Sequence, residues 1–378
     1  MRDVSAILQF GTSRFLQAHA DLFVSEALDR GEAIGTIAVV QTTRNPESAA
    51  RIAAMASGDG YPVRIRGLQS GQAVDRWVQV RSVRRGLQAD DDWDEVRRIF
   101  VHEARVILSN TGDRGFDLDP ADELPGILEG RVPRSFPAKL AVLLHARWQR
   151  RPDAALTLLP CELLSRNGDT LRDLVIDLAR QCDLPGEFVA YLRSHCVWVN
   201  CLVDRIVSEA LSPVGAVAEP YALWAIERQH AMQLPCSHDA IVLTDDLATY
   251  ERLKLHILNL GHTVLAQLWL DAGARPGMTV LQAMNDPEMR ADLENVWTKE
   301  VLPVFEASGQ GELASDYIGT VRERFLNPFL AHRLEDIAQN QAEKKRRRLQ
   351  PIVDDAERLG LDLPQSRLRA ALQAGPVA

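Results

Sequence analysis

The fold is decided by the stretch Ile7-Leu8-Gln9-Phe10-Gly11-Thr12-Ser13-Arg14-Phe15, in which a short apolar run ends at a glycine. Apolar residues then recur at helical spacing as far as Ala27, which predicts a helix with one buried face. A strand, a tight turn and a helix in this order are typical of the start of a parallel, doubly wound sheet. The stretch therefore predicts an α/β protein.

The same pattern continues outward from this stretch. Two further apolar runs, Ile37–Val40 and Val106–Leu108, read as the next strands of the sheet. Between them, the segments VRIRGLQ and WVQVRSV alternate with a period of two, which predicts a small antiparallel insertion with one wet face. Beyond residue 135 we expect a helix at Phe136–Trp148, a strand at Ala155–Leu159, helices near 169–182 and 186–194, and a β-rich segment, VWVNCLVDRIV.

The pattern becomes helical near Thr244 and stays helical to the end. We therefore predict two domains. Residues 1–240 would form a Rossmann-like, dinucleotide-binding domain with insertions, and residues 241–378 a mostly α-helical domain that carries substrate and catalytic residues.

Composition excludes several classes of protein. The 378 residues carry a formal net charge of −9, which argues against a general nucleic-acid binder because such a protein needs a basic face. No run approaches the roughly 20 apolar residues of a membrane span, and the N-terminus does not read as a signal peptide. The five cysteines form no C-x-x-C pair, so we expect reduced thiols in a cytoplasmic protein.

The glycine turn is a candidate cofactor site formed by Gly11, Thr12, Ser13 and Phe15. At such a turn the backbone N–H groups and the helix N-terminus can meet a pyrophosphate, and glycine removes side-chain bulk from its path. The fingerprint is imperfect because Ser13 stands where a second glycine is usual, and a simple structural turn is the alternative. Arg44, after the second strand, could meet a 2′-phosphate or be an ordinary loop residue, which leaves NAD and NADP both open.

A candidate catalytic site lies on the segment Lys254-Leu-His-Ile-Leu-Asn259-Leu-Gly-His262. At about 100° per residue, Asn259 lies about 140° and His262 about 80° round the helix from Lys254, so all three share one face. Burial lowers the pKa of a lysine amine and makes it a workable base for alcohol oxidation, while the other two side chains can donate hydrogen bonds to the oxygen. The alternative is a snorkelling lysine beside an asparagine and a histidine of the core, and His256 reads as structural.

The spacing Lys254-x4-Asn259-x2-His262 resembles the signature of the long-chain, metal-independent mannitol dehydrogenase family, which includes polyol and hexuronate oxidoreductases. Five other segments, in the same order along the chain, resemble motifs of that family: FGTSRFLQAH from Phe10, SNTGD from Ser109, PCELLSRNG from Pro160, NCLVDRI from Asn200 and RFLNP from Arg324. The resemblance covers most of the chain and implies an NAD- or NADP-dependent dehydrogenase. Ser13 and Gly112-Asp113 depart from the family pattern.

The resemblance also implies roles for individual residues. It makes Lys254 the general base, with Asn259 and His262 contacting the reacting oxygen, and no metal. It places Asn110 and Thr111 near the nicotinamide. It lines the substrate cleft with Asn167, Asn200 and Asp204, for each of which a turn or supporting role is the alternative.

Two segments narrow the implied substrate. PCELLSRNG is closer to the sugar-acid reductases of the family than to the mannitol enzymes, and so is the spacing of Asp336, Asn340 and Lys344. Lys344 and Arg348 could therefore reach a substrate carboxylate or distal hydroxyls, as in a hexuronate/hexonate pair such as tagaturonate and altronate or fructuronate and mannonate. A polyol pair such as mannitol and fructose is the alternative, and a non-catalytic dinucleotide-binding protein is a second. We expect a small sugar acid or polyol as the partner, and neither nucleic acid nor a membrane.

Overall fold

The computed structural model describes residues 5–43, 46–112, 114–122 and 131–374. Arg44, a candidate cofactor residue, and Asp113 of the SNTGD segment lie outside the described residues. The chain divides into two compact units. Unit 1 contains the described residues of Met1–Ile65, Arg76–Ala218 and Ala222–Leu247, and unit 2 contains those of Arg66–Asp75, Glu219–Tyr221 and Ala248–Ala378.

Unit 1 is built on a parallel sheet of six strands: β1 (Ile7–Phe10), β2 (Ile37–Gln41), β5 (Val83–Gln88), β6 (Val106–Ser109), β7 (Leu156–Pro160) and β8 (Cys196–Trp198). Their order is β5-β2-β1-β6-β7-β8, and every pair in this sheet is parallel. β1, β2, β6 and β7 are buried along their whole length, as expected of strands covered on both faces. The predicted doubly wound α/β sheet is confirmed.

The remaining strands form two smaller sheets: β3 (Tyr61–Gln69), β4 (Gln72–Val80), β9 (Cys201–Asp204), β10 (Val207–Ala210), β11 (Ala216–Ala218), β12 (Leu223–Glu227) and β13 (Ile241–Thr244). One sheet has the order β10-β11-β3-β4 and the other β13-β12-β9. β3 and β4 form the predicted two-stranded insertion, since Ser70 and Gly71 between them both have positive φ, as in a type I′ hairpin turn. β5 was not predicted from the sequence, since only its first residue falls within the predicted segments, and it pairs with β2 in the parallel sheet.

The helices of unit 1 are α1 (Arg14–Gln17), α2 (Ala20–Arg30), α3 (Pro46–Met55), α4 (Trp93–His102), α5 (Phe136–Arg150), α6 (Asn167–Gln181) and α7 (Gly186–Ser194). The single helix predicted after the glycine turn is wrong in one respect. It breaks at His19, whose φ of −126° and ψ of −96° lie outside the helical region, so a one-turn helix precedes the longer one.

Unit 2 is helical apart from the short segments it takes from residues 66–75 and 219–221, and so confirms the predicted helical C-terminal region. Its α-helices are α8 (Leu247–Leu253), α9 (Leu260–Asp271), α10 (Val280–Asn285), α11 (Pro287–Asn295), α12 (Leu302–Ala307), α13 (Gly311–Phe325), α14 (Leu334–Ile337), α15 (Gln341–Arg348), α16 (Gln350–Arg358) and α17 (Ser366–Gln373). Two segments, Lys254–Asn259 and Val296–Val301, are π-helical. The core of this unit packs around Trp297, Phe305 and Phe325.

Candidate active site

The glycine turn of unit 1 lies at the point where the strand order of the parallel sheet reverses. β1 pairs with β2 on one side and with β6 on the other, and Gly11 follows β1 directly. In open α/β sheets, ligands bind beyond the carboxyl ends of the strands at such a switch point. The topology therefore places Gly11 where a dinucleotide fold holds its cofactor.

Gly11 is fixed by two independent constraints. Its φ of +111° is one that residues with a side chain rarely adopt. A Cβ built on it would lie 2.4 Å from the backbone oxygen of Asn110. The two backbone segments that follow β1 and β6 therefore approach more closely than a side chain at residue 11 would permit. The space beside this backbone is the kind that a pyrophosphate uses, so the turn fits a dinucleotide.

Ser13 explains how the turn works without a second glycine. Its hydroxyl accepts a hydrogen bond from Leu16 N at 3.2 Å, which caps α1, and donates to Asn110 Oδ1 at 2.9 Å. The Asn110 amide in turn donates to the carbonyl of Cys161 at 2.8 Å. Three predicted cofactor residues, Gly11, Ser13 and Asn110, are thus brought together by the structure.

Thr12 and Phe15 complete the predicted group around the turn. The Thr12 hydroxyl donates to Gln41 Oε1 at 2.7 Å, and the amide of Gln41 donates to Thr43 Oγ1 at 2.8 Å. A buried glutamine, rather than an acid, therefore ends β2. The ring of Phe15 stacks on His19 at a centroid distance of 4.7 Å.

Glu162 holds the loop after β6, and sequence reasoning missed it. Its carboxylate accepts hydrogen bonds from Thr111 N at 3.0 Å, Thr111 Oγ1 at 2.9 Å and Ser109 Oγ at 2.9 Å. Burial raises the pKa of this carboxyl, and the hydrogen bonds from Thr111 and Ser109 lower it in part. The available signal was an acid one residue after an apolar strand, within the PCELLSRNG segment.

The three candidate substrate residues of unit 1 are buried and already engaged. The Asn167 amide donates to the carbonyls of Pro160, Glu162 and Cys201, and its oxygen accepts from Gly168 N and Cys201 N. The Asn200 amide donates to Asp169 Oδ2 at 3.0 Å and Glu227 Oε2 at 2.7 Å. These bonds favour the supporting role for both asparagines. Asp204 is buried at the end of β9, and its contact with substrate stays a prediction.

The candidate catalytic segment of unit 2 is not an α-helix, which corrects the sequence prediction. Lys254–Asn259 is π-helical, and α9 continues from Leu260. In a π-helix the hydrogen bonds run from residue i to i+5, so Asn259 lies about one turn above Lys254 rather than 140° away from it. The π-turn therefore brings Lys254 and Asn259 closer to one line than α-helical spacing allows. Both side chains are half-buried.

Packing from distant parts of unit 2 supports this segment. The indole Nε1 of Trp297 donates to the carbonyl of Ile257 at 3.1 Å. A Cβ at Gly261 would lie 2.8 Å from the Trp297 ring and 3.2 Å from the Phe325 ring, so glycine lets both rings pack against the backbone. His256 is buried and its Nδ1 lies 2.9 Å from the carbonyl of Arg348, which agrees with the structural role expected of it.

His262 is buried between two other rings. It stacks on Phe325 at a centroid distance of 4.3 Å and meets His332 edge-on at 4.8 Å. Burial lowers the pKa of His332, which favours its neutral form near pH 7. His332 is a second residue that the sequence did not single out, because no local pattern links it to His262.

Lys344 and Arg348 lie one turn apart on α15. The Lys344 amine donates to the carbonyl of Ile337 at 2.7 Å, and the Arg348 guanidinium donates to Thr263 Oγ1 at 3.0 Å. Burial lowers the pKa of both groups, and Arg348 lowers that of Lys344 further by repulsion. Two partly desolvated cations therefore stand side by side.

Comparison with known families and proteins agrees with this architecture. The family model described as the mannitol dehydrogenase Rossmann domain matches residues 5–236, and that of the mannitol dehydrogenase C-terminal domain matches residues 246–372. The chain belongs to the mannitol dehydrogenase family. The family resemblance inferred from the motifs is confirmed, and with it membership of a family of oxidoreductases.

Relatives of the chain include proteins named altronate oxidoreductase. The one from Bacillus subtilis (strain 168) is 32% identical over 385 residues, which cover 95% of this chain and 76% of the relative. The one from Escherichia coli O7:K1 (strain IAI39 / ExPEC) is 31% identical over 398 residues, covering 97% and 78%.

Two solved structures share the fold. A D-sorbitol dehydrogenase in substrate-free form has a TM-score of 0.81 at 21% identity, over 98% of this chain and 80% of the other. A mannitol 2-dehydrogenase of Pseudomonas fluorescens, in a ternary complex with NAD and D-mannitol, has a TM-score of 0.72 at 20% identity, over 98% and 79%.

Two other kinds of feature are absent from the described residues of this family member. Over these residues, no group of three or more His, Cys, Asp and Glu side chains is placed to hold a metal ion. Nor does any described helix have the length and apolar composition needed to cross a membrane.

Proposed function

We propose that this chain is an NAD-dependent dehydrogenase that interconverts the secondary alcohol of a sugar acid and its ketone, with Lys254 as the general base. The observation that carries the proposal is the π-helical turn, since its i to i+5 spacing sets Lys254 and Asn259 about one turn apart, and the buried His262 follows on α9. A lysine, an asparagine and a histidine in that arrangement suit the removal of a proton from an alcohol oxygen.

In the direction of oxidation, the Lys254 amine accepts the proton of the hydroxyl group while the hydride leaves the carbon that carries this hydroxyl. When bound, the nicotinamide supplies the hydride acceptor, or the donor in the reverse reaction. Asn259 and His262 donate hydrogen bonds to the oxygen, whose charge grows as its proton leaves. In the direction of reduction, Lys254 returns a proton to the oxygen that receives negative charge.

Unit 1 would hold the cofactor. Gly11 leaves room for the pyrophosphate, Thr12 and Ser13 present backbone N–H groups after the turn, and Phe15, Asn110 and Thr111 line the loops on either side. β2 ends in Gln41-Thr42-Thr43, without the acid common in NAD sites, so NADP remains the second candidate. A division near residue 240 into a cofactor domain and a helical substrate domain is part of this proposal.

The charge on α15 favours a sugar acid over a polyol. Lys344 and Arg348 repel each other and are partly desolvated, and both effects disfavour their charged forms. An anion beside them would offset this electrostatic cost, whereas a neutral polyol would not. The Lys344 ammonium has three donors and gives one to Ile337, which makes it the better partner for a substrate carboxylate. The altronate oxidoreductase relatives support the same class, and we propose tagaturonate/altronate or fructuronate/mannonate as the pair.

The test is oxidation of NADH and NADPH by the purified protein, with tagaturonate, fructuronate and fructose assayed side by side. We expect turnover with one or both of the uronates and little with fructose. Turnover with fructose alone would reject the sugar acid in favour of a polyol. Cofactor binding without turnover of any ketose would favour a non-catalytic dinucleotide-binding protein.

A further inference from the structure

The C-terminal end of α15 contacts the catalytic segment at three points through one residue, Arg348. Its Nη1 donates to Thr263 Oγ1 at 3.0 Å and to the carbonyl of Asn259 at 3.3 Å. Its own carbonyl lies 2.9 Å from Nδ1 of His256, which donates to it. Arg348 therefore touches the π-turn at His256, at its last residue and at the first turn of α9.

These contacts converge on the carbonyl of Asn259. The hydroxyl of Thr263 also donates to it, at 2.9 Å, so Arg348 and Thr263 bond to each other and to the same oxygen. This oxygen belongs to the residue whose side chain we place on the reacting alcohol. A shift of that carbonyl would move the Asn259 side chain relative to Lys254.

The π-turn is a conformation that needs such contacts. Isolated π-turns are rare, occur mostly as single turns within α-helices, and are frequent at functional sites. The sequence of Lys254–Asn259 contains neither glycine nor proline and is compatible with an ordinary α-helix, in which Lys254 and Asn259 lie about 140° apart round the axis. Trp297 donates to one carbonyl of the segment, and Arg348 with Thr263 donates to another.

The charge of Arg348 strengthens its hydrogen bonds to the carbonyl of Asn259 and to Thr263. Its guanidinium is half-buried and forms no ion pair with the residues that the structure describes, so its hydrogen bonds run to neutral oxygens. Hydrogen bonds from a charged donor are roughly twice as strong as neutral ones. Arg347, the next residue, is exposed and lies 3.7 Å from Glu343, and so offers a neighbouring charge without the bracing contact.

We propose that Arg348 is a positioning residue that, with Thr263, holds the carbonyl of Asn259 and so keeps Asn259 aligned with Lys254 for proton transfer. The proposal rests on the proposed function, since it assigns Arg348 to the geometry of the base and its partner. It differs from direct binding of a substrate carboxylate, which the sequence predicts for the same residue.

The test compares Arg348→Met, Arg348→Lys and Thr263→Val with Arg347→Met as the matched control. A displacement of about 1 Å at a reacting group can cost about 100-fold, so Arg348→Met should lower kcat by about 10- to 100-fold and change the KM of the sugar by less than threefold. Thr263→Val should lower kcat as well, Arg348→Lys should recover part of it, and Arg347→Met should match the wild type. Because Arg348 and Thr263 act on one oxygen, the double variant should lose less than the product of the single losses.

A KM raised tenfold or more at unchanged kcat would overturn the proposal in favour of carboxylate binding. A double variant whose loss of kcat equals the product of the two single losses would also overturn it. Amide hydrogen exchange of residues 254–263 gives a readout without turnover. Exchange should speed up in Arg348→Met and Thr263→Val but not in Arg347→Met, and equal exchange in all of them would also overturn it. If the wild type turns over no ketose, the proposed function fails while the exchange result still stands. Should Arg348→Met not fold, Thr263→Val removes a single hydroxyl and carries the same test.

Discussion

The glycine turn of unit 1 and the π-turn of unit 2 hold their polar groups in different ways. At the glycine turn, the decisive feature is the absence of a Cβ at Gly11, where backbone from β6 lies 2.4 Å from the position a Cβ would take. At the π-turn, the decisive features are contacts from residues far along the chain, with Trp297 and Arg348 bonding to the carbonyls of Ile257 and Asn259.

The difference teaches how each site should fail. A site held by close backbone approach breaks when atoms are added, and the damage concerns the ligand that uses the space. A site held by distant side chains breaks when contacts are removed, and the damage concerns alignment and therefore rate.

The largest effect is expected from removing the amine of the π-turn. General acid–base catalysis contributes about 10²- to 10⁴-fold, so Lys254→Met should lower kcat by about 10³-fold or more while NADH binding stays within twofold. Steady-state kinetics with the best ketose of the panel, and a cofactor titration, measure the two quantities. Lys299→Met is the matched control, since Lys299 is an exposed lysine of the other π-helical segment. Full turnover by Lys254→Met would remove the base from the proposal.

A second large effect concerns the stability of unit 1. Asp21 lies buried on α2, where Tyr61 Oη donates to its carboxylate at 2.6 Å, and burial raises its pKa from 3.8 to about 7. The folded state therefore keeps a proton that the unfolded state loses above pH 4. The stabilisation is complete below that pH, falls as pH rises, and is lost above about pH 7, for a total of about 4 kcal/mol at most.

Asp21→Asn removes this titration, so the free energy of unfolding should change less between pH 5 and pH 8 than in the wild type. Urea unfolding at the two pH values measures it. Asp29→Asn, an exposed acid on the same helix, is the control. Equal pH dependence of Asp21→Asn and wild type would contradict the buried acid. The result bears on the comparison because Asp21 and Tyr61, like Ser13 and Asn110, form a long-range polar contact in unit 1.

The third prediction tests the steric side of the contrast. Gly11→Ala places a methyl group against the Asn110 carbonyl at a φ of +111°, so the backbone must shift and the KM of NADH should rise by about 100-fold. Gly31→Ala is the control, because Gly31 has a φ of +73° with nothing within 4 Å of its Cβ position. That control should cost about 1 kcal/mol of stability and leave the KM of NADH unchanged. Equal KM values in the two variants would contradict a role for the close approach at Gly11 in cofactor binding.

The same contrast explains how much the sequence could predict. The parallel sheet and the glycine turn followed from Ile7–Phe10 and Gly11, since apolar runs and glycine positions report on local structure. The breaks were harder. Nothing adjacent to His19 marks the end of α1, and β5 carries only two bulky apolar residues, Val83 and Leu87, yet pairs with β2 in the parallel sheet.

The candidate catalytic residues were predicted from spacing, but their geometry was not. Chemistry and family resemblance single out Lys254, Asn259 and His262, whereas the π-turn that relates two of them is contacted by Trp297 and Arg348 from far along the chain. A one-dimensional pattern carries no information about which distant side chain reaches a carbonyl. Glu162 was missed for the same reason, because its partners Ser109 and Thr111 lie about 50 residues away.

Glu162 also gives the smallest and most discriminating prediction. It tests whether removing a distant side-chain contact, the kind of change expected to disturb the π-turn of unit 2, also disturbs a loop of unit 1. Its two oxygens accept from three donors on Ser109 and Thr111, and Glu162→Gln replaces one oxygen with an NH2 group that faces a donor. The NH2 group should face Ser109, because the Ser109 hydroxyl can rotate to accept a hydrogen bond whereas Thr111 N can only donate. The Ser109 hydroxyl then no longer donates to residue 162, so the loss is about one hydrogen bond of roughly 1–2 kcal/mol. We expect the KM of NADH to rise by about tenfold and kcat to fall by less than threefold, with Glu187→Gln, an exposed residue of α7, as the control. A loss confined to kcat would mean that this loop contributes to the chemical step rather than to cofactor binding. It would contradict the assignment of cofactor binding to the glycine turn and of proton transfer to the π-turn.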